Sequence, residues 1–540
     1  MNNNIIKEKP CVVAAKQGFS VSYNNRFLYS QYNPSKLIIE KINSLNNLPG
    51  TIFLCNSAIL EYGILELYKK LPENCLMFLC EFDSNLYQLM KDSYNKLLEK
   101  NKLSNVAILT PQELYSLPSI IHKTNYTFEN GFVFTSLGFY KRFVRIDFSA
   151  GTFFNQQLYN SLEEACVNSV KTFWANRVTL VKFGRKYSYN LFKNLQKIDK
   201  TVPIENFFYK IEKPIIVFGA GQTLEKDIKI ISQNANKFCI LCADTALQPL
   251  LKYNVVPDGV FLEEAQNVIK QAFLGTLKYN FHLFAGLSSI PELSEYIDIK
   301  KISYFTSLYT NANFLNNLQQ NKLLPFANMP FGSVGITTMY YATKFRKNKN
   351  VPIYYYGLDF SYSAGFTHTK NTIAHILRLS KSNKINQVQN YNAAFSNVAI
   401  KLSKDNSCFS TPVLLGYKNL FDNLFSLEPN IIQNNVVIPE NANKYDLQFN
   451  LFTNENSDKT LRYANYFETQ KNQLVRIKNL LTGAEKFEMP EQAEQMLTQL
   501  ITSCDYLYLH FPDGWQFLYT QSFLNRVRAE VDFFLKLYNL

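Results

Sequence analysis

The stretch I-I-V-F-G-A-G-Q-T-L, residues 215–224, constrains the fold more than any other part of the chain. Its β-branched start predicts a buried strand, and Gly219 and Gly221 predict a tight turn whose backbone can approach a ligand closely. Thr223 is placed to cap a helix that begins at this turn, and the free amides of such a helix attract anions. The third glycine of a dinucleotide-binding fingerprint is absent, because Leu224 stands in its place. The segment therefore predicts a strand, a turn and a helix N-terminus that faces a phosphate.

The alternation of apolar strands with helical stretches predicts an α/β protein of three domains. Residues 1–190 predict an N-terminal Rossmann-like domain with connecting helices, and residues 56–58 carry N-S-A where a nucleotide-binding turn would carry glycines. This domain is therefore expected to be degenerate and not to bind a nucleotide. Residues 205–400 predict a doubly wound, Rossmann-like central domain, because they carry six strand signals, at 215–218, 238–241, 259–262, 282–285, 302–305 and 353–356. Over residues 420–540 the strand signals fade, and the apolar periodicity predicts a C-terminal helical domain.

Composition narrows the classes of function and the cell compartment. The chain has no apolar stretch of the roughly 20 residues that a membrane helix needs and begins with polar residues, so we expect a cytoplasmic protein without stable membrane insertion. Nine cysteines without regular spacing predict reduced thiols, and five dispersed histidines make a metal site unexpected. The net charge of +13 is spread along the chain rather than gathered in one stripe, so nucleic acid is not the expected partner.

Polar residues follow several strands of the predicted central sheet, at the edge where open parallel sheets bind ligands. After the G-x-G turn come Asp244, which could hydrogen-bond a ribose or a base, and Thr245, which could cap the next helix. Gly332 and Ser333 form a small turn that opens a helix and predict a further phosphate or carboxylate site. The last strand is followed by residues 357–368, where hydroxyls, a carboxylate and an imidazole lie close together in sequence.

Four segments carry this pattern in order: F-G-A-G-Q-T-L, A-D-T-A-L followed by V-P-D-G-V, F-G-S-V, and Y-G-L-D-F-S-Y-S-A-G-F-T-H. Together they resemble the central domain of the motility accessory factor (Maf) flagellin glycosyltransferases. That domain is in turn similar to bacterial sialyltransferases and to MptE-like pterin diphosphokinases. Short segments around residues 32–34 and 174–177 are also Maf-like, so the resemblance covers most of residues 1–400 and extends loosely to the helical tail.

The resemblance implies transfer of a nonulosonic acid, such as pseudaminic or legionaminic acid, from a CMP-activated donor to serine or threonine of flagellin. No cofactor is implied beyond the donor substrate, and the partner is the flagellin acceptor. Donors that leave as a nucleotide diphosphate often need a metal held by a D-x-D motif, and this chain has no D-x-D. Metal-independent transfer is therefore expected.

The resemblance also implies roles for single residues. Tyr362 would donate a proton to the departing phosphate, and His368 would act as the base or contact the donor carboxylate or phosphate. Asp359 would either contact the ligand or anchor the turn after its strand. The nucleotide and donor would be bound by glycines, hydroxyls and one carboxylate, namely Gly219, Gly221, Thr223, Asp244, Thr245, Gly332, Ser333, Gly357, Ser361 and Thr367.

Two alternatives remain open from the sequence. The first is an MptE-like pterin diphosphokinase, which would use ATP and Mg²⁺ and no protein acceptor. The second is a catalytically inactive chaperone that binds flagellin.

Overall fold

The computed structural model describes residues 9–101, 103–123, 125–276, 278–363, 366–385, 398–403, 407–440, 457–485 and 489–538. Within these ranges, no helix has both the length and the apolar character needed to cross a membrane. The chain forms two compact units that divide between Val181 and Lys182.

The first unit combines short antiparallel strands with a small parallel sheet. Its strands are β1 (Cys11–Ala14), β2 (Phe19–Tyr23), β3 (Arg26–Phe27), β4 (Thr51–Asn56), β5 (Leu76–Cys80), β6 (Val106–Leu109), β7 (Tyr126–Thr127), β8 (Val133–Phe134) and β9 (Arg142–Asp147). Its helices are α1 (Lys36–Ser44), α2 (Ile64–Lys69), α3 (Ser84–Asn101), α4 (Pro111–Ile120) and the start of α5 (Gln156–Leu195). The order β6-β5-β4-β9, parallel throughout, is the α/β arrangement expected from the sequence.

The edge of this sheet where a Rossmann domain binds ribose is closed by the unit's own side chains. Glu81, directly after β5, is fully buried and accepts hydrogen bonds from the Ser57 hydroxyl at 2.6 Å, the Asp83 amide at 2.9 Å and the Tyr159 hydroxyl at 3.1 Å. Burial raises the pKa of Glu81 to about 7. A side chain at Gly151 would overlap the Ser57 hydroxyl, which shows how tightly this region is packed.

The second unit is built on one large parallel sheet with helices on both faces. Its strands are β10 (Ile215–Phe218), β11 (Cys239–Ala243), β12 (Gly259–Leu262), β13 (His282–Gly286), β14 (Ile302–Ser307), β15 (Ala327–Asn328), β16 (Ile353–Tyr356), β17 (Tyr362–Ser363), β18 (Ile400–Lys401), β19 (Cys408–Ser410) and β20 (Ile431–Gln433). Its helices after α5 are α6 (Ile228–Gln233), α7 (Leu247–Lys252), α8 (Asn313–Gln320), α9 (Val334–Phe345), α10 (Ile373–Ser380), α11 (Pro412–Phe425), α12 (Ser457–Thr482), α13 (Pro490–Ser503) and α14 (Gln521–Tyr538).

The order of the large sheet, β15-β14-β13-β12-β11-β10-β16-β20, places the functional motifs. The chain runs outward from β10 to β15 and then crosses back through α9 to β16, on the other side of β10. The strand order therefore reverses between β10 and β16, and a crevice opens at such a point in doubly wound sheets. The predicted doubly wound arrangement is confirmed, and β15 and β20 are short strands that the sequence did not predict.

Two apolar cores cover the faces of this sheet. Ile216 and Phe218 of β10 lie in one core, and Ile215 and Val217 lie in the other, as the period of a strand requires. The first core also holds buried residues of the C-terminal helices α12, α13 and α14, among them Phe534. The segments 205–400 and 420–540, predicted as separate domains, thus lie in one compact unit because they share a core.

Candidate functional site

A cavity of about 430 Å³ lies where the strand order of the large sheet reverses. The structure brings to its wall twelve of the residues predicted from the sequence, which are Gly219, Gly221, Asp244, Thr245, Gly332, Ser333, Gly357, Asp359, Ser361, Tyr362, Thr367 and His368. Thr223 is not among the lining residues and lies behind Asp359, to which it is hydrogen-bonded. Four chain segments that are distant in sequence therefore meet in one hollow.

The glycines of the G-x-G turn allow two loops of the protein to cross. The amide of Gly219 donates to the Tyr356 carbonyl at 2.8 Å, and the amide of Gly221 donates to the Gly357 carbonyl at 2.8 Å. A side chain at Gly219 would overlap the Gly357 carbonyl, and Gly357 itself has a left-handed backbone with φ of +68°. The predicted tight turn is present. Its backbone, which the sequence predicts to approach a ligand closely, approaches the loop after β16.

Asp359 fills the anion position that the sequence assigns to a phosphate. Its carboxylate accepts a hydrogen bond from the Thr223 amide at 3.0 Å and another from the Thr223 hydroxyl, which in turn accepts from the Gly357 amide at 2.8 Å. The turn is followed by a short 3-10 segment, Gln222–Glu225, in which the Thr223 side chain does not act as a cap. The predicted cap at Thr223 is wrong, because its hydroxyl bridges the two crossing loops. The contacts favour the anchoring role of Asp359.

One of the helix N-termini at the cavity belongs to α9. Ser333 is its N-cap residue, and the Ser333 side chain makes no capping hydrogen bond. Gly332, with φ of +72°, packs so close to Tyr417 that a side chain would touch the Tyr417 ring. Because α9 has twelve residues and no acidic residue in its first turn, its N-terminal amides and dipole favour an anion in the cavity.

Asp244, directly after β11, is the most deeply buried acidic group of the cavity wall. Its Oδ1 accepts hydrogen bonds from the Thr245 amide at 2.6 Å and the Thr245 hydroxyl at 2.9 Å. Its Oδ2 is buried and has no hydrogen-bond partner in the described part of the chain. Burial, with a smaller contribution from Glu264 and Glu263, raises the pKa of Asp244 to about 7. The predicted cap at Thr245 is wrong, because its hydroxyl serves Asp244 and α7 begins after Ala246 without a side-chain cap.

Tyr362 lies on β17, which pairs with β19 in a small antiparallel sheet of order β17-β19-β18. Its side chain is 6% exposed, and its ring stacks on Phe409 with centroids 6.0 Å apart. Burial raises its pKa, so the hydroxyl keeps its proton at neutral pH and can act as a hydrogen-bond donor in the cavity.

His368 lies at an exposed position of the cavity wall. Its Nδ1 is 3.3 Å from the Thr367 hydroxyl, and packing around the ring and the charge of Arg378 lower its pKa. The imidazole is therefore neutral at pH 7 and can accept a proton. The segment is held over the G-x-G turn, because the Thr369 amide donates to the Ala220 carbonyl at 2.9 Å.

Sequence reasoning missed one wall of the cavity, formed by Thr411, Leu414 and Tyr417. These residues belong to the start of α11, which falls between the predicted central and C-terminal domains. Thr411 accepts a hydrogen bond from the Leu414 amide at 3.2 Å and is followed by Pro412, so the helix start has a readable signal. The sequence contains no comparable pattern that would place this helix beside the cavity.

Comparisons with known proteins bear on the fold that carries this site. A family model described as "6-hydroxymethylpterin diphosphokinase MptE-like" matches residues 189–365. An uncharacterized protein of Treponema pallidum is 29% identical over 566 residues, covering 98% of this chain and 95% of that protein. The solved structure of a Maf glycosyltransferase from Magnetospirillum magneticum superposes with a TM-score of 0.50 at 12% identity, covering 99% of this chain and 92% of the other. The resemblance predicted from the sequence is thus confirmed at the level of structure: the chain has the fold of this Maf glycosyltransferase over nearly its whole length.

Proposed function

We propose that this protein is a glycosyltransferase that moves a nonulosonic acid from a CMP-activated donor to serine or threonine of flagellin, in the cytoplasm. The observation that carries the proposal is the single cavity in which the α9 N-terminus, Asp244, Tyr362 and His368 meet. The shared fold with a Maf glycosyltransferase supports the same reaction class.

Each wall of the cavity has a part in the proposed reaction. The amides at the α9 N-terminus and Ser333 hold the single phosphate of the donor, and the free Oδ2 of Asp244 binds the ribose or the cytosine. The bond between the anomeric carbon and the phosphate oxygen breaks, and CMP leaves with a hydrogen bond from the Tyr362 hydroxyl. His368 takes the proton of the acceptor hydroxyl as that oxygen bonds to the anomeric carbon. These groups stabilise a leaving monophosphate without a resident metal.

The experiment is a transfer assay read by intact mass. Purified full-length protein is incubated with flagellin and either CMP-pseudaminic or CMP-legionaminic acid, and flagellin should gain the mass of one or more sugar residues. A parallel reaction with EDTA should give the same gain. Flagellin that keeps its original mass with both donors would contradict the proposal.

The MptE-like match favours a second candidate, transfer of diphosphate from ATP to a pterin, because residues 189–365 include most of the cavity wall. In that reaction the α9 N-terminus would hold a phosphate of ATP. The two candidates differ in product, since only the second releases AMP in a pterin-dependent manner. Release of AMP with ATP, Mg²⁺ and a 6-hydroxymethylpterin would reverse the ranking.

A further inference from the structure

Beside the cavity, the protein exposes apolar side chains on two elements, α10 and β18. On α10 these are Ile376, Leu377 and Leu379, with 43%, 38% and 49% of their surface exposed. Val398, Ile400 and Leu402, in and around β18, are 58%, 36% and 50% exposed. Helix α10 is amphipathic, and Ile373 at its start packs on the core. The apolar stripe of the helix therefore continues from the core into solvent.

Both elements are tied to residues that line the cavity. From α10, the Arg378 guanidinium donates to the Thr367 hydroxyl at 3.4 Å. From β18, the adjoining Ala399 packs against the cluster of Tyr362 and Phe409. The exposed apolar groups on α10 and β18, called here the mouth surface, thus adjoin the proposed site of transfer.

Basic residues predominate beside the mouth surface, where one acid from another segment, Glu225, accepts a hydrogen bond from the Thr369 hydroxyl at 2.7 Å. Residues 366–385 contain Lys370, Arg378, Lys381 and Lys384 and no acidic residue. Lys401 of β18 adds a further cation. A partner that covers this surface must therefore offer apolar side chains together with carboxylates.

We infer that the mouth surface docks the acceptor polypeptide through an apolar segment bearing acidic residues, and so presents the acceptor hydroxyl to His368. The inference rests on the proposed function, in which a protein must reach the cavity. It adds a binding site that lies outside the cavity and is not needed to hold the donor.

The test uses a double variant of the full-length protein, Ile376→Glu with Leu379→Glu, which places two acids on the mouth surface. Leu427→Glu is the matched control, because Leu427 is 95% exposed and follows the far end of α11. At 1.5 Å per helical residue, this position lies on the order of 20 Å from the cavity-lining start of that helix. Binding of flagellin, release of CMP from the donor without flagellin, and Tm are measured for each protein.

The expected result is flagellin binding at least roughly tenfold weaker in the double variant, with an unchanged Tm and with CMP release to water within about twofold of wild type. The control should match wild type in all three. Equal flagellin binding by wild type and double variant, or no binding by wild type, would overturn the inference. A change of oligomeric state in the double variant would also overturn the inference. The same holds if the double variant loses binding to anionic vesicles and not to flagellin. Absence of sugar transfer from the donor to flagellin by wild type would instead count against the proposed reaction, and the binding comparison would still decide the docking site.

Discussion

The carboxyl group of Asp244 has an environment unlike that of a surface aspartate. One oxygen is satisfied by Thr245, and the other is buried at the cavity without a partner in the described residues. Since burial raises its pKa to about 7, the group can either donate or accept a hydrogen bond at neutral pH. Both forms suit a ligand that carries hydroxyl or amine groups.

Substitution Asp244→Asn should change how stability depends on pH. An acid whose pKa rises from 3.8 to about 7 on folding stabilises the native state most below pH 4, and this contribution is lost as pH rises to 7. The loss is on the order of a few kcal/mol. The Tm of Asp244→Asn minus that of wild type should therefore be larger at pH 8 than at pH 5. A difference independent of pH would contradict the assignment.

His368→Ala and Tyr362→Phe should each lower transfer by about 100-fold or more without lowering Tm, because both groups are assigned to proton transfer or donation rather than to folding.

The pKa of His368 lies below its ordinary value, so the wild-type rate should be constant near pH 7 and fall only at pH values below 6.5. The remaining activity of His368→Ala should lack this fall. Wild-type rates in both variants would remove these residues from the mechanism.

The Thr223 hydroxyl bridges the two loops that cross between β10 and β16, in addition to the backbone hydrogen bonds between them. In Thr223→Val the Gly357 amide loses its acceptor and the Asp359 carboxylate loses a donor, so we expect a loss of about 2 kcal/mol or more in unfolding free energy. Thr223→Ser keeps the hydroxyl and is the control. Denaturant unfolding measures the effect, and equal stability of the two variants would show that the bridge contributes nothing.

Gly221 is required by the same crossing for a steric reason. A side chain there would overlap the Asp359 carboxylate, so Gly221→Ala should lower the unfolding free energy by more than about 1 kcal/mol and weaken donor binding. Gly416, within α11, has open space around it, and Gly416→Ala should stabilise the protein by about 0.5–1 kcal/mol. Thermal unfolding of the two variants should therefore shift in opposite directions.

Across the second unit, the C-terminal helices and the parallel sheet are expected to unfold together. Phe534 of α14 is fully buried and packs with its ring centroid 4.9 Å from Tyr506 and 6.2 Å from Phe192. Phe534→Ala should cost about 3–5 kcal/mol, whereas Leu427→Ala, at an exposed site, should cost almost nothing. If the helices melted in a separate, earlier transition, the shared core would not couple them as described.

The sequence by itself determined the strands of the central sheet and the polar residues at their ends. Strand and glycine signals depend on neighbouring residues, so β10, β12 and β16 have the predicted bounds. The reversal of strand order followed from the alternating pattern, because parallel strands joined by helices have few allowed topologies. For this reason the cavity contains almost every residue that the motifs indicated.

Only the tertiary structure decided what each side chain contacts. The hydroxyls of Thr223 and Thr245 have good capping positions in the sequence, yet both bond to carboxylates. Thr223 bonds to Asp359, which folding brings near it, and Thr245 bonds to the adjacent Asp244. The wall at Tyr417 and the joining of the helical tail to the central sheet also depend on contacts between distant segments. Local propensity determines where an element begins, whereas burial of apolar surface determines which elements meet, and that free energy depends on the whole packed unit.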